Sequence, residues 1–538
     1  MSTMDCSAQR VARVVPAETA CGGVREGVAR DLPFVAIMPN DALPSTPVAA
    51  LDPQPAPVAR ERLDPQPGPG NASEIALARS SIRPVAESGY DAQHAADAAD
   101  RPTSNAAFYL GVRAKFALAF MVSAAWFAVT LAIALPWIAE LSGRIGSMLA
   151  ILAIGGIALV PGFMNAFLIA SLVLDRRPAR SKPSRHPAVS ILIAAYNEEA
   201  SIADTLRSLA NQDYPGAFEV IVIDDGSRDR TAAIVEACDQ DWLRLLRQPR
   251  NAGKAAALNR GLAEARHELV VTLDADSYLY RDALRKLVER YLADPPNTCA
   301  VAGTMLVRNS RRNWVTRAQE WDYFHGIAAI KRVQSLYQGT LVAQGAFSLY
   351  ERDALREVGG WMDCVGEDIV LTWAMLRNGW RVGHAEDACC FTNAPETLRQ
   401  FVRQRQRWSR GMMEAFRQFP DILVRPRLST LFVWWNLLFP WLDLAYTVFF
   451  IPGIVLALFG IYWIAGPLTL ALLPMALLIN YAMYRVGSQM FAANGLRVRR
   501  NLSGFLTYAF AYSLILQPAC VAGYFSEMPG LRKSWGTK

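Results

Sequence analysis

Charged residues are almost absent from four stretches of this 538-residue sequence. Residues 116–139, 145–174 and 501–526 have no charged side chain, and residues 428–484 have only Asp443. A helix that crosses a membrane needs roughly 20 apolar residues, so each stretch is long enough to span a bilayer. A simple soluble protein is therefore excluded. A transporter built only from membrane helices is excluded as well, because residues 175–427 have ordinary globular composition.

The sequence also lacks motifs that would indicate other classes of protein. None of its eight cysteines forms a C-x-x-C pair, so we expect reduced, mostly buried thiols rather than a zinc site or disulfides. The formal net charge of +7 is small for this length, and no dense basic cluster lies outside the membrane flanks. A nucleic-acid partner is therefore not expected. No apolar core follows the first arginines, so no signal peptide is predicted.

Residues 1–105 are predicted to be a disordered cytoplasmic tail. They contain 13 of the 31 prolines, and the pentapeptide LDPQP occurs in them twice. A segment of this composition cannot bury enough apolar surface to fold. We expect a tail that is dispensable for activity, with a docking role as the alternative.

Two transmembrane helices are expected within residues 110–175, and two to three more, with a short tail, within residues 428–538. Five basic residues lie between positions 176 and 185, against Asp175 alone. Positive residues accumulate on the cytoplasmic side of membrane proteins, so this segment and the block that follows it are placed in the cytoplasm. Residues 428–484 fit two spans, or one span and an interfacial helix, which leaves the side of the C-terminal end open. We therefore expect a multi-pass protein of the inner membrane.

Short apolar runs alternate with helical segments within residues 176–427. Residues 189–195, 218–224 and 268–274 are predicted strands, and residues 200–209, 231–238 and 254–265 are predicted helices. Continuous apolar strands between helices indicate an α/β fold with a doubly wound, mainly parallel sheet. Ligands bind such sheets beyond the carboxyl ends of the strands. Polar groups follow all three predicted strands, at residues 196–198, 224–227 and 274–276.

Asp274 and Asp276 form a D-x-D motif at the end of the third predicted strand. Two carboxylates this close in sequence can hold one hard cation such as Mg²⁺ or Mn²⁺, which usually shares its oxygen ligands with substrate phosphates. A solvated turn is the competing interpretation, because the motif is common. The apolar strand before it and the accompanying motifs favour the metal site.

Three further motifs have both a binding and a purely structural interpretation. Asp224 and Asp225 could accept hydrogen bonds from a nucleoside, or belong to a capped helix start. Lys254 begins a helix, where a cation adds to the affinity of the helix N-terminus for phosphate, or it is a surface lysine. Glu367 and Asp368 begin another helix. They could include the carboxylate that a catalytic base requires, or only interact with the helix dipole.

Residues 404–408, with the sequence QRQRW, are the most specific motif. Gln404, Arg407 and Trp408 are spaced i, i+3 and i+4, so they share one face of a helix. An arginine can bind a diphosphate with two hydrogen bonds, and an indole ring can stack on a sugar. The alternative is an interfacial amphipathic helix whose basic residues face lipid phosphate. That helix would include three further arginines, Arg403, Arg405 and Arg410.

In this order the motifs resemble the processive membrane glycosyltransferases of family 2, which include cellulose, chitin, hyaluronan and poly-N-acetylglucosamine synthases. The matching pieces are AAYNEE (194–199), DDGS (224–227), DAD (274–276), GED (366–368) and QRQRW (404–408). The resemblance covers about residues 110–535. Three features favour the poly-N-acetylglucosamine and chitooligosaccharide branch of the family. They are the sequence VAQGAF at residues 342–347, the run at residues 393–398, and a short chain in which no regulatory C-terminal domain is expected. Ala194 and Gly366 depart from the family pattern, which often has Pro and Thr there, but neither departure removes a charged group.

The resemblance implies a GT-A domain over residues 176–427 that ends in an interfacial helix and rests on about five membrane helices. It implies nine nucleotide-sugar-binding residues: Tyr196, Glu198, Asp224, Asp225, Lys254, Asp274, Asp276, Gln404 and Arg407. Mg²⁺ or Mn²⁺ would be held by Asp276 and Asp274, and would stabilise the departing UDP together with Arg407. Asp368 would be the general base, and Glu367 and Trp408 would contact the acceptor.

The implied function is the elongation of an extracellular polysaccharide by inverting, processive β-glycosyl transfer, with export of the polymer through the membrane helices. UDP-N-acetylglucosamine is the first donor expected and UDP-glucose the second. A retaining double displacement would need a second positioned carboxylate as nucleophile. The alternatives are a non-processive enzyme that glycosylates a lipid, a UDP-glucose-using β-glucan synthase, an inactive nucleotide-binding module, and a transporter. The expected partners are the UDP-sugar, the growing polysaccharide, the lipid bilayer and accessory membrane or export subunits.

Overall fold

A computed structural model describes residues 110–176, 183, 185–466 and 501–527, with a few isolated positions between 477 and 492. The predicted tail at residues 1–105 lies outside the described residues, as does much of the basic run after Arg176. Most of residues 467–500 also lie outside them, so the choice between two spans and one span with an interfacial helix in residues 428–484 stays open. The domain boundaries given above therefore stay predictions.

The described chain has an α/β block with long apolar helices before and after it. The strands are β1 (Val189–Ala195), β2 (Phe218–Asp224), β3 (Leu243–Arg247), β4 (Leu269–Leu273), β5 (Tyr278–Leu279), β6 (Thr298–Val307), β7 (Phe347–Glu351) and β8 (Arg381–Thr392). The helices are α1 (Val112–Ile145), α2 (Ser147–Leu174), α3 (Ile202–Ala210), α4 (Thr231–Glu236), α5 (Lys254–Glu264), α6 (Ala283–Ala293), α7 (Trp314–Trp321, continued by the π-helical turns Asp322–Ala329 and by Ile330–Leu336), α8 (Arg352–Glu357), α9 (Glu367–Arg377), α10 (Leu398–Gln418), α11 (Thr430–Leu458) and α12 (Leu502–Glu527).

Helices α1, α2, α11 and α12 are long and apolar enough to cross a membrane. Two of them precede the α/β block and two follow it, which agrees with the distribution of uncharged stretches in the sequence. The hydroxyl group of Tyr524 on α12 donates a hydrogen bond to Asp443 on α11 (2.9 Å). The isolated acid of residues 428–484 is therefore paired between two helices, as intramembrane acids usually are.

An eight-stranded mixed sheet forms the centre of the α/β block, in the order β3-β2-β1-β4-β7-β6-β8-β5. Strands β3, β2, β1 and β4 are parallel to one another, as was predicted for the three that were identified. Strand β7 is antiparallel to both β4 and β6, and β5 is antiparallel to β8, so the sheet is less parallel than expected. The reason is that β7 begins with Phe347 beside Leu273, where β4 ends, and runs back along that strand.

Helices cover both faces of the parallel part of the sheet. Leu192 of β1 and Ile223 of β2 pack with Leu258 of α5 on one face. Ile193 of β1 packs with Leu206 of α3 on the other face. The continuous apolar runs of the sequence thus reflect strands that are buried on two sides, and the doubly wound arrangement is confirmed.

Helices α9 and α10 cross at two glycines. A Cβ atom built on Gly366 would lie 2.5 Å from the Cα atom of Gly411, and one built on Gly411 would lie 2.7 Å from the Cα atom of Gly366. Real Cβ atoms essentially never approach other atoms closer than 3.0 Å, so the crossing requires glycine at both positions, directly before α9 and within α10. The backbone N–H of Gly366 also donates to Oε2 of the buried Glu414 on α10 (2.9 Å). Gly366, a departure from the family pattern, is thus matched by a second glycine.

Helix α10 is also fixed to α12, one of the candidate membrane spans. The carboxylate of Glu527, which is 1% exposed, accepts hydrogen bonds from Arg410 (3.1 Å) and Arg417 (3.0 Å). A Cβ atom on Gly523 would overlap Oγ of Ser409, so the two helices touch at the backbone. The interpretation in which Arg410 faces lipid phosphate is wrong, because this arginine is turned toward Glu527.

Candidate active site

The loops after β1 and β2 lie side by side at the carboxyl edge of the sheet, because the two strands are parallel and in register. The backbone N–H of Asn197 donates to Oγ of Ser227 (3.0 Å), and that of Glu198 donates to Oγ1 of Thr231 (2.8 Å). Asn197 has a φ of 56°, which turns the chain directly after Tyr196. The half-buried Tyr196 and Glu198 therefore lie at the edge where the sequence placed them. Their contact with a nucleoside stays a prediction.

The carboxylates of Asp224 and Asp225 both accept hydrogen bonds from the backbone. Oδ1 of Asp224 accepts the N–H of Ser227 (3.1 Å). Asp225 accepts the N–H groups of Ala252 and Gly253, each at 2.8 Å. Burial raises the pKa of Asp225, even though these two bonds favour its ionised form. Asp225 thus holds the loop before α5 in place, and its predicted role toward a nucleoside is untested.

Lys254, at the start of α5, is a nearly buried amine between two acidic motifs. Its Nζ donates to Oδ1 of Asp274 (2.6 Å) and lies 3.5 Å from Oε1 of Glu367. Burial alone would lower the pKa of Lys254, but the carboxylates of Asp274, Glu367 and Asp368 outweigh it and raise that pKa. The side chain is 12% exposed, so the surface-lysine interpretation is wrong. This ammonium group joins the D-x-D motif to the start of α9.

The loop before β7 completes this cluster. Because β7 begins where β4 ends, the carbonyl of Ala346 accepts the N–H of Asp274 (3.2 Å). A Cβ atom on Gly345 would lie 2.9 Å from Nζ of Lys254 and 3.7 Å from Oε1 of Glu367. Sequence reasoning used residues 342–347 only to choose a branch of the family. It did not place them in the site, because it did not predict β7.

A second lysine, Lys331 of α7, contacts the same loop. Its Nζ donates a hydrogen bond to Oε1 of Gln344, whose Nε2 donates to the carbonyl of Gly303 (2.6 Å). Burial lowers the pKa of Lys331 to about 8, while the carboxylate of Asp368 acts in the opposite direction. No motif in the sequence singled out Lys331, since its surroundings depend on how α7 packs.

Glu367 and Asp368 form the first turn of α9 but differ in their surroundings. Glu367 is 5% exposed and faces Lys254, and burial raises its pKa while Lys254 opposes that shift. Oδ1 of the half-buried Asp368 accepts the N–H of Ile369 (2.8 Å). Within the described part of the chain, no hydrogen bond reaches Oδ2 of Asp368. That oxygen atom is therefore available to a ligand.

Four buried polar atoms on α10 have no hydrogen-bond partner among the described residues, and two of them, Nε of Arg407 and Oε1 of Gln404, belong to the predicted donor site. Buried polar atoms are normally hydrogen-bonded, so this pair is consistent with a polar ligand at this face of the helix. Arg407 interacts electrostatically with Glu367. Trp408 is 39% exposed, and its ring lies 6.4 Å from that of Tyr323. Arg407 thus lies near Glu367 at the start of α9, and Trp408 lies beside Tyr323 of α7.

The acidic pair at the end of β4 fits a cation that brings other ligands with it. Within the part of the chain that the structure describes, no group of three His, Cys, Asp or Glu side chains could hold a metal ion. Asp274 and Asp276 nevertheless offer the hard oxygen atoms that Mg²⁺ and Mn²⁺ prefer, and these ions commonly take their remaining ligands from phosphate and water. The residues present therefore fit an ion that binds together with a diphosphate.

Five of the twelve predicted site residues form one connected group. Direct contacts or electrostatic interactions link Lys254, Asp274, Glu367, Asp368 and Arg407. The residues after β1 and β2 are connected to them indirectly, through the Asp225 carboxylate and the loop that it holds before α5.

Part of this chain is similar in sequence to known enzymes. Residues 190–359 match Glycosyl transferase family 2. The chain is 33% identical over 253 residues to a poly-beta-1,6-N-acetyl-D-glucosamine synthase of Staphylococcus epidermidis. The aligned residues make up 46% of this chain and 61% of the relative. It is 34% identical over 246 residues to the synthase of the same name from Staphylococcus aureus strain COL, 45% of this chain and 57% of that one. The chain thus spans about three fifths of the length of these curated relatives.

Among solved structures, a mannosyltransferase of Pyrobaculum calidifontis in complex with GDP-Man and Mn²⁺ is similar at a TM-score of 0.47 and 21% identity. The match covers 73% of this chain and 98% of the mannosyltransferase.

Proposed function

Residues 190–359 of this chain are a glycosyl transferase family 2 domain, and on this premise we propose that the protein is an inverting, processive β-glycosyltransferase. It would transfer sugar from a UDP-sugar to a growing extracellular polysaccharide and pass the polymer across the inner membrane. The α/β block has the GT-A fold, with a mixed sheet and acidic motifs at the carboxyl edge of its parallel strands. Likeness to two poly-beta-1,6-N-acetyl-D-glucosamine synthases supports UDP-N-acetylglucosamine as the donor.

The observation that carries this proposal is the position of Lys254. One amine contacts Asp274 of the proposed donor site (2.6 Å) and Glu367 next to the proposed base (3.5 Å). The contact brings the end of β4 within side-chain reach of the helix that begins with Glu367 and Asp368. An inverting transfer needs this arrangement, because the base must reach the acceptor hydroxyl while the leaving group is held in place.

The donor diphosphate would be bound by basic and polar side chains of two helices. Arg407 and Gln404 of α10 have buried atoms without a partner among the described residues, and Lys254 begins α5. Asp274 and Asp276 would hold Mg²⁺ or Mn²⁺, which when bound would stabilise the charge that develops on the departing UDP.

Asp368 would take the proton of the acceptor hydroxyl. The N–H of Ile369 holds Oδ1 of this carboxylate, which orients Oδ2 to accept the proton. The exposed ring of Trp408 would stack on the acceptor sugar. Attack by the deprotonated oxygen on the anomeric carbon, with departure of UDP on the opposite side, inverts the configuration. An α-linked donor would therefore give a β-linkage.

The contact between α10 and α12 supports transfer that is coupled to export. Helix α10 carries the proposed acceptor residue Trp408 and touches the membrane helix α12 at Gly523, so the acceptor end would lie beside a membrane helix. The basic residues between 176 and 185 support a cytoplasmic position for the α/β block. Accessory membrane or export subunits are part of the proposal.

The test uses the purified full chain in lipid nanodiscs with a panel of UDP-sugars, with UDP release and product length as readouts. We expect UDP release from UDP-N-acetylglucosamine and a long polymer. Release from UDP-glucose alone would overturn the donor, and transfer of a single sugar to lipid would overturn processivity. No release from any donor would overturn the function itself.

A further inference from the structure

Arg405, the second residue of the QRQRW motif, lies outside the proposed donor site yet is 5% exposed. Its Nη2 lies 2.8 Å from Oδ2 of Asp322 and donates to the hydroxyl oxygen of Tyr512 (3.0 Å). The Tyr512 hydroxyl group donates in turn to the same Oδ2 of Asp322 (3.0 Å). The three side chains form a closed triangle of polar contacts. The interpretation in which Arg405 faces lipid phosphate is therefore wrong.

Arg405 also covers one face of the proposed acceptor residue. Its guanidinium carbon lies 4.1 Å from the centroid of the Trp408 ring, well within the range of a cation–π contact. The same guanidinium lies 5.0 Å from the ring centroid of Phe401. Trp408 is 39% exposed, so part of the indole stays open while Arg405 fixes the plane of the ring.

The members of the triangle come from three different elements. Asp322 begins the π-helical turns of α7, Arg405 lies on α10, and Tyr512 lies on the candidate membrane span α12. A Cβ atom on Gly326 would lie 2.8 Å from Oδ1 of Asp322, so α7 leaves room for this carboxylate. Removal of Arg405 or Asp322 would leave a buried charge without its partner, and removal of the Tyr512 hydroxyl group would take a hydrogen bond from both, so the triangle holds the three elements in one arrangement.

We propose that the Asp322–Arg405–Tyr512 triangle is a positioning device that sets the orientation of Trp408 and links it to the membrane helix α12. The inference rests on the proposed function, because it concerns how the end of a polysaccharide is held. A shift of α12 moves Tyr512, Arg405 follows, and the indole ring turns with it. Acceptor affinity and polymer length then depend on the triangle, whereas donor affinity does not. Arg405 is a positioning residue, since it acts through Trp408.

The experiment compares Arg405→Met with Arg403→Met in the full chain in lipid nanodiscs. Arg403 is an exposed arginine on the same helix and is the matched control. The readouts are kcat and KM for a β-1,6-linked N-acetylglucosamine tetramer, polymer length, and UDP affinity by calorimetry. Misplacement of a positioned group by about 1 Å can lower the rate of an enzyme roughly 10²-fold. We therefore expect Arg405→Met, which frees the Trp408 ring, to raise the acceptor KM by at least about tenfold and to shorten the polymer. UDP affinity should stay within about twofold of wild type, and Arg403→Met should match wild type throughout.

Milder variants keep the test valid if Arg405→Met does not fold. Tyr512→Phe removes one hydroxyl group, and Gly326→Ala retains all three members but crowds Asp322. Both should raise the acceptor KM and shorten the polymer, by less than Arg405→Met does. Arg405→Lys keeps the charge next to Asp322 and should restore part of the lost acceptor affinity.

A measurement that does not require activity separates this inference from the proposed function. In a double-mutant cycle of Arg405→Met and Asp322→Asn, the loss in thermal midpoint should be smaller for the double variant than the sum of the single losses. If wild type releases no UDP from any donor, the proposed function is wrong. If the losses in thermal midpoint are additive, Arg405 and Asp322 do not stabilise each other and the proposed triangle is wrong as well. In an active enzyme, an Arg405→Met variant with the acceptor KM and polymer length of Arg403→Met overturns the inference. A loss of UDP affinity as large as the loss of acceptor affinity also overturns it.

Discussion

Replacement of Gly411 by alanine tests whether the crossing of α9 and α10 sets the position of Asp368. The new Cβ atom would lie 2.7 Å from the Cα atom of Gly366, whereas ordinary contacts begin at 3.4 Å, so the helices must separate by the difference of 0.7 Å. Overpacking of this kind costs about 1–3 kcal/mol of stability. A misplacement of about 1 Å costs roughly 10²-fold in rate. We therefore expect turnover to fall by roughly 10- to 100-fold, because Asp368 moves relative to Arg407.

The assay is UDP release at saturating donor, with the thermal midpoint measured in parallel to show that the variant is folded. Gly143→Ala is the matched control, since a Cβ atom there would meet nothing within 4 Å. Gly366→Ala should have at least as large an effect as Gly411→Ala, because its Cβ atom would lie only 2.5 Å from Gly411. If folded Gly411→Ala turns over as fast as Gly143→Ala, the crossing does not determine the position of the base and the reasoning is refuted.

Three further predictions concern the base, the cation and the tail. Asp368→Asn should bind UDP and metal nearly as wild type does but lose at least about 10²-fold in turnover, whereas Asp276→Asn should weaken binding and turnover alike. Calorimetry beside a UDP-release assay checks this, and normal turnover of Asp368→Asn would place the base elsewhere. EDTA should stop turnover and Asp276→Ala should weaken metal-dependent UDP binding, so full activity in chelator would contradict the metal assignment. A truncation that starts near Asn105 should retain most transferase activity, and its loss in a protein that still inserts would show that residues 1–105 are needed.

The parallel part of the sheet could be predicted from the sequence, but its antiparallel part could not. Strands β1 and β2 have the predicted bounds, because strands buried on both faces appear as uninterrupted apolar runs. Strand β8 includes His384, Glu386 and Asp387, which interrupt such a run. The place of β7 between β4 and β6 depends on pairing between distant segments, and a local pattern does not contain that information.

The motifs of the site could likewise be identified without their contacts. The sequence indicated that Lys254 begins a helix and that Asp274 ends a strand, but not that the two side chains are 2.6 Å apart. The helical period shows which residues share a face, but not what that face meets. One interpretation of the sequence therefore turns Arg405 toward lipid, because its partner Tyr512 is 107 residues away in the chain and no local pattern shows the contact.

The contact between Glu527 and α10 limits which fragments of this protein can be used in experiments. A fragment that stops near residue 427 would contain all five motifs, yet Arg410 and Arg417 would have lost the carboxylate that both contact. The close contact of Gly523 with Ser409 would be lost as well, so the helix that carries Arg407 and Trp408 would lose the helix that packs against it. Excision of the α/β block would therefore not yield a faithful soluble enzyme. Measurements of nucleotide binding, as well as those of polymer export, require the membrane helices and a lipid or detergent to surround them.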